Sequence, residues 1–133
     1  MRHILVVEDE PLNAIVFRKV LERRGGYRIT VTEQADELMQ LVRSGAVDLV
    51  IMDVSLAHTR WEGRAVNGVE LCRILKGDSR TARIPVLLAT AHAMRGDAEM
   101  LLVQSGADHY VAKPILDHEE FVRQVRELLE KAA

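Results

Sequence analysis

A single cysteine, Cys72, in 133 residues leaves no disulfide framework, and no histidine or cysteine pairing is spaced for zinc. Neither sign of charge dominates. The 18 basic and 20 acidic side chains are interspersed and sum to −2, which removes the electrostatic attraction that direct nucleic-acid or anionic-membrane binding needs. The longest apolar runs, such as Ile4 to Val7, Leu49 to Met52 and Val86 to Ala89, are four residues each, against about 18 for a membrane-spanning helix. No repeat, low-complexity tract or Pro/Gly/Ser-rich linker divides the chain, and its start lacks the long apolar stretch of a signal peptide. The expectation is one domain, 1–133, cytoplasmic, with a reduced thiol and no membrane contact, since about 150 residues per domain is the usual yield of chain length.

What is present is an alternation. Five short runs rich in valine, isoleucine and leucine, His3 to Val7, Tyr27 to Thr32, Val47 to Met52, Ile84 to Ala89 and His109 to Ala112, are of strand length. Four are too apolar to alternate cleanly, as in strands buried on both faces of a parallel sheet, whereas Tyr27, Ile29 and Val31 alternate with polar neighbours like an edge strand. Between and after the runs lie apolar stripes of helical period: Leu12, Ile15, Val16, Val20; Leu38, Met39, Leu41, Val42; Val69, Cys72, Leu75; Met94, Ala98, Leu101, Leu102; and Phe121, Val122, Val125, Leu128, Leu129. Five βα units with right-handed crossovers make a doubly wound α/β fold around a five-stranded parallel sheet. The last helix runs to Ala133, so the expected output is binding to partners. The third unit is long: the fourth run starts 37 residues after the third, against 24 and 20 between the earlier starts, and the extra chain, at about 54–67, has neither period.

Ligands of open α/β sheets sit beyond the carboxyl ends of the strands where strand order reverses. Those ends carry Glu8, Asp9 and Glu10, then Asp53, then Thr90 with Ala91, then Lys113. With the edge-like second run outside the first, the order is 2-1-3-4-5, and Glu8, Asp9 and Asp53 share one pocket. Carboxylates that close need a cation, and an all-oxygen set suits Mg²⁺. Carboxylates, Mg²⁺ and a lysine point to phosphoryl chemistry, in which the protein positions groups and neutralises charge.

Four motifs in order, Val6-Val7-Glu8-Asp9-Glu10-Pro11, Val50-Ile51-Met52-Asp53, Leu88-Ala89-Thr90-Ala91-His92-Ala93-Met94 and Tyr110-Val111-Ala112-Lys113-Pro114, resemble the receiver domain of two-component response regulators over essentially the whole chain. The resemblance implies a flavodoxin-like (βα)5 fold with the strand order 2-1-3-4-5, the order of the chemotaxis receiver. It implies that Asp53 accepts a phosphoryl group from a histidine kinase, a histidine phosphotransfer protein or a small phosphodonor. Asp9 is similar to the direct Mg²⁺ ligand and Glu8 to its outer companion; Ser55 lends a backbone carbonyl to the metal, and Lys113 pairs with the acceptor carboxylate. Thr90 bonds the phosphoryl group, Ala91 leaves room for it, and Tyr110 is the switch aromatic on the face of the fourth helix, fifth strand and fifth helix, through which partner binding is switched; a phosphorylation-dependent homodimer is one form such an output can take. Such a domain is no enzyme beyond its own phosphorylation and dephosphorylation.

The chain also departs from the family. Receivers follow the acceptor with a Met-Pro pair and reach a glycine in about half the distance found here, whereas this chain has Leu56-Ala57 and reaches Gly68 only 15 residues after Asp53. Trp61, the only tryptophan, lies in that enlarged segment between Arg60 and Arg64 and reads either as a partner anchor or as a side chain folded back on the third helix. Tyr110 reads as a switch or as a half-buried sheet aromatic, and His92 as a solvated loop residue that tunes the site or plays no part in it, rather than as a general base. Other functions compete. A receiver-like adaptor would bind partners without phosphorylation. A haloacid-dehalogenase-type Mg²⁺ phosphatase wants a second acid where Ser55 stands, and a flavin carrier wants a phosphate loop where Glu8, Asp9 and Glu10 repel phosphate.

Overall fold

The computed structural model describes residues 1–91 and 97–132, so the expectations for His92 and Met94 lie outside the described residues. Five parallel strands form one sheet: β1 (His3–Val7), β2 (Arg28–Thr32), β3 (Leu49–Asp53), β6 (Val86–Thr90) and β7 (His109–Ala112), in the order β2-β1-β3-β6-β7. They are the five expected runs in the expected order. Helices α1 (Pro11–Gly25) and α5 (His118–Ala132) cover one face, and α2 (Ala35–Arg43) and α3 (Gly68–Gly77) cover the other, with α4 (Asp97–Ser105) beside α3. None of the described helices is long and apolar enough to cross a membrane.

The pleat divides the core. Leu5, Val7, Val50, Met52, Val86 and Leu88 pack with Leu38, Met39, Val42, Leu71, Cys72 and Leu75. The alternate residues Ile4, Val6, Leu49, Ile51, Leu87 and Ala89 pack with Phe17, Val20 and Leu21 of α1 and Phe121, Val122, Val125 and Leu129 of α5. Three central strands are buried throughout, as doubly covered strands should be. The fifth run does not belong with them. β7 is half-buried because it is the second edge of the sheet. Three strands also start later than their runs, β2 at Arg28, β3 at Leu49 and β6 at Val86. Asp48 stands outside β3, its carboxylate accepting the His3 N–H at 2.8 Å, and Pro85 precedes β6, its carbonyl accepting the Val50 N–H.

The stripe on α1 differs from the expectation. Leu12 is 72% exposed, Ile15 48% and Val16 36%, while the buried residues are Phe17, Val20 and Leu21. The Phe17 ring fixes this rotation by lying 5.7 Å from Phe121, tilted at 48°. Tilted aromatic pairs of this kind are worth about 0.5–1.5 kcal/mol beyond their area burial.

The segment after β3 is ordered by a small antiparallel hairpin, β4 (Arg60–Trp61) and β5 (Arg64–Ala65), pairing Arg60 with Ala65 and Trp61 with Arg64. Glu62 and Gly63 both take positive φ, 53° and 79°, the conformation of a tight two-residue hairpin turn. Two residues per strand are too few to show a period. Trp61 folds back, half-buried, but onto the core of α2 and α3 with the Arg43 guanidinium of α2 5.7 Å from its ring centre. The contacts of the fold-back are with α2, where the expectation had the third helix.

Truncating Phe17 to alanine should cost about 3–5 kcal/mol of unfolding free energy, and Leu12→Ala less than about 1 kcal/mol. Urea unfolding of the two variants measures the difference; equal costs would contradict the assigned face of α1.

Candidate functional site

Register delivers the site. Val7 lies beside Met52, Asp53 beside Ala89 and Thr90 beside Ala112, so the next residues of β1 and β7, Glu8 and Lys113, emerge at the same carboxyl edge as Asp53 and Thr90. Glu8 and Asp53 are 3% and 2% exposed. The Lys113 ammonium donates to Asp53 Oδ1 at 2.8 Å and to Glu8 Oε1 at 3.1 Å, and the Ser55 N–H donates to Asp53 Oδ1 at 3.1 Å. Carboxylate oxygens of Glu8, Asp9 and Asp53 all lie within 4.8 Å of one another. Asp9, half-buried, accepts the Ala57 N–H on Oδ2 at 2.8 Å.

Close packing brings α3 to the site. A Cβ on Gly68 would lie 1.9 Å from the Asp53 carbonyl oxygen, so only glycine lets this helix start here. Asn67 and Glu70 cap that start reciprocally.

The electrostatics follow from crowding. Burial, together with the neighbouring Asp53, pushes the Glu8 carboxyl up to about 7 despite Lys113. Burial would also raise Asp53, but hydrogen bonds from Glu8, Lys113 and the Ser55 N–H outweigh it and hold Asp53 below the usual range. Lys113 loses some solvation, yet its two carboxylates keep its ammonium charged. Glu8 thus takes up its proton as pH falls through neutral, well above the range of an ordinary carboxyl. Glu8 Oε2 is buried with no hydrogen-bond partner among the described residues. An orphaned carboxylate oxygen beside two further carboxylates, with no nitrogen or sulfur donor in the set, fits a hard divalent cation such as Mg²⁺.

The remaining candidates are distributed around this corner. Thr90 is buried at the end of β6, followed by exposed Ala91. The Ser55 side chain is exposed, and its backbone N–H is the group bonded to Asp53. Tyr110 stays out of the acidic corner; it sits three residues before Lys113, half-buried against the core of α2 and α3, its ring 5.5 Å from that of His109. Cys72 is buried in that core, which pushes its thiol up to about 11. Sequence reasoning missed Ala57 and Thr59. Ala57 contributes only a main-chain N–H, and Thr59 is one threonine in an aperiodic segment.

Fold and corner together are those of the two-component receivers. The family profile of the response regulator receiver domain matches residues 4–130, and the chain belongs to that family of signalling domains. Among curated proteins it is similar to the polar-differentiation response regulator DivK of Brucella anthropi, at 36% identity over 114 residues, 86% of this chain and 85% of that protein. Among solved structures it resembles the receiver domain of the sensor histidine kinase PA1611 of Pseudomonas aeruginosa, which has magnesium coordinated in its active-site cleft, at TM-score 0.79 and 27% identity over 97% of this chain and 98% of that one. A putative response regulator from Chloroflexus aurantiacus aligns at TM-score 0.82 and 26% identity over the same shares.

A raised Glu8 pKa stabilises the fold fully below about pH 4.5 and loses that contribution as pH rises through about 7. In metal chelator, Glu8→Gln should therefore gain stability relative to the native chain as pH goes from 5 to 8, by on the order of 2 kcal/mol. Denaturant melts across that range give the sign, and a pH-independent difference would show that Glu8 does not hold the proton.

Proposed function

We propose that the chain works as a single receiver domain over residues 1–133 that accepts a phosphoryl group on Asp53 in a Mg²⁺-dependent reaction and passes the change on through partner binding. The observation that carries this reading is the buried Asp53 carboxylate, kept ionised by Lys113 at 2.8 Å beside the orphaned oxygen of Glu8. An ionised carboxylate is the nucleophile the reaction needs. It attacks phosphorus of a phosphohistidine on a histidine kinase or phosphotransfer protein; the new O–P bond forms as the P–N bond breaks, and the imidazole nitrogen keeps the electron pair and takes a proton from water.

Glu8, Asp9 and Asp53 would hold the cation, with Ser55 adding its backbone carbonyl. Bound there, Mg²⁺ would offset charge on the transferring oxygens. Lys113 bonds one acceptor oxygen beforehand and a phosphoryl oxygen afterwards. Thr90, at the neighbouring strand end, supplies a hydroxyl to the phosphoryl group, and Ala91 leaves space beside it. Drawing Thr90 inward is coupled to repacking of Tyr110 on β7, altering the α4–β7–α5 face that a partner or a second phosphorylated copy would read. Chemistry confined to its own acceptor makes this a switch in the cytoplasm, and the absence of a second acid at Ser55 sets it apart from an Asp-nucleophile phosphatase.

Intact mass after acetyl phosphate treatment should show one phosphoryl adduct that requires Mg²⁺ and vanishes in Asp53→Ala; Lys113→Ala should slow its formation by about 100-fold. No adduct after rapid trapping would leave the adaptor reading instead.

A further inference from the structure

The segment that sets this chain apart, between β3 and α3, is tied into the acidic corner at a specific atom. The Ala57 N–H reaches across to Asp9 Oδ2 at 2.8 Å. Two residues on, Thr59 is only 4% exposed: its hydroxyl donates to the Glu33 carbonyl at 2.9 Å, in the turn after β2, and its own carbonyl accepts the Val66 N–H at 3.0 Å, closing the base of the hairpin. Beyond that base, Trp61 lies on the α2–α3 core beside Arg43. The hairpin is therefore anchored on Asp9, on Glu33 and on α2, and Thr59 joins the first anchor to the second.

The consequence falls on Asp9. An N–H on Oδ2 restricts rotation of the carboxylate and leaves Oδ1 for another partner, while carboxylate oxygens of Glu8 and Asp53 stand within 4.8 Å. Groups that orient a metal-binding side chain in this way are commonly worth 10–100-fold in metal affinity. We propose that Thr59 is a positioning residue for the cation site: it fixes the segment so that the Ala57 N–H presets Asp9, and cation binding in turn orders the hairpin. The inference rests on the reading of the acidic corner as a Mg²⁺ site. Reciprocity is required, because an element that raises the affinity for an ion is stabilised by that ion to the same extent.

The test is a Mg²⁺ titration by calorimetry on the full chain, with hydrogen exchange of residues 57–66 in the absence and presence of the ion. Ala57→Pro deletes the donor, Thr59→Val deletes the hydroxyl, and Thr59→Ser restores it. The dissociation constant should rise about 10-fold in the first two and return to the native value in the third. Mg²⁺ should slow exchange at 57–66 in the native chain and much less in Thr59→Val. A folded Thr59→Val chain with a Kd within twofold of native would overturn the proposal while leaving the metal site intact. If Ala57→Pro fails to fold, the Thr59 pair decides alone. A native chain that binds no Mg²⁺ would remove the site reading itself, and the inference with it.

Discussion

The ammonium of Lys113 lies within hydrogen-bonding distance of two carboxylates that have almost no contact with water, and a third carboxylate stands close by. Formal charge there is three negative to one positive. Burial of such a set is costly, and Coulomb attraction offsets the loss of solvation only when geometry is good and the spare lone pairs find partners. Here one lone-pair oxygen, Glu8 Oε2, does not. The corner relieves the excess either with a proton on Glu8 or with a divalent cation, which would bring the formal sum to zero with every carboxylate ionised.

The fold can sustain this because the groups sit at the ends of strands that are rigid for unrelated reasons. β1, β3 and β6 are buried on both faces, so the register that aligns Val7, Met52 and Ala89 is fixed by packing. Lys113 comes from β7, an edge strand, and its ion pairs tie that edge back to the centre of the sheet. Gly68 then lets α3 begin against the Asp53 carbonyl, which closes the site from the side of the hairpin.

The acidic corner was legible in sequence because its chemistry is in side chains that end strongly apolar runs. Strand order was legible from a single edge-like strand and from the receiver motifs. The face of α1 was not, since Leu12, Ile15 and Val16 make as good a stripe as Phe17, Val20 and Leu21, and only the Phe17–Phe121 contact across two helices chooses between them. The hairpin was hidden by its length: the turn at Glu62-Gly63 was its one local signal. Ala57 left no trace at all, because a main-chain donor has no residue preference. The site therefore reads as a family site in sequence, whereas the tether that individualises it needs the backbone.

If the corner with every carboxylate ionised is two positive charges short of balance, Mg²⁺ must displace the proton that Glu8 holds. Calorimetric Mg²⁺ titrations near pH 6.5 in two buffers of different ionisation enthalpy count that proton directly. The account predicts release of roughly three quarters of a proton per ion bound, falling toward zero by about pH 9. Binding with the same heat in both buffers at pH 6.5 would contradict it.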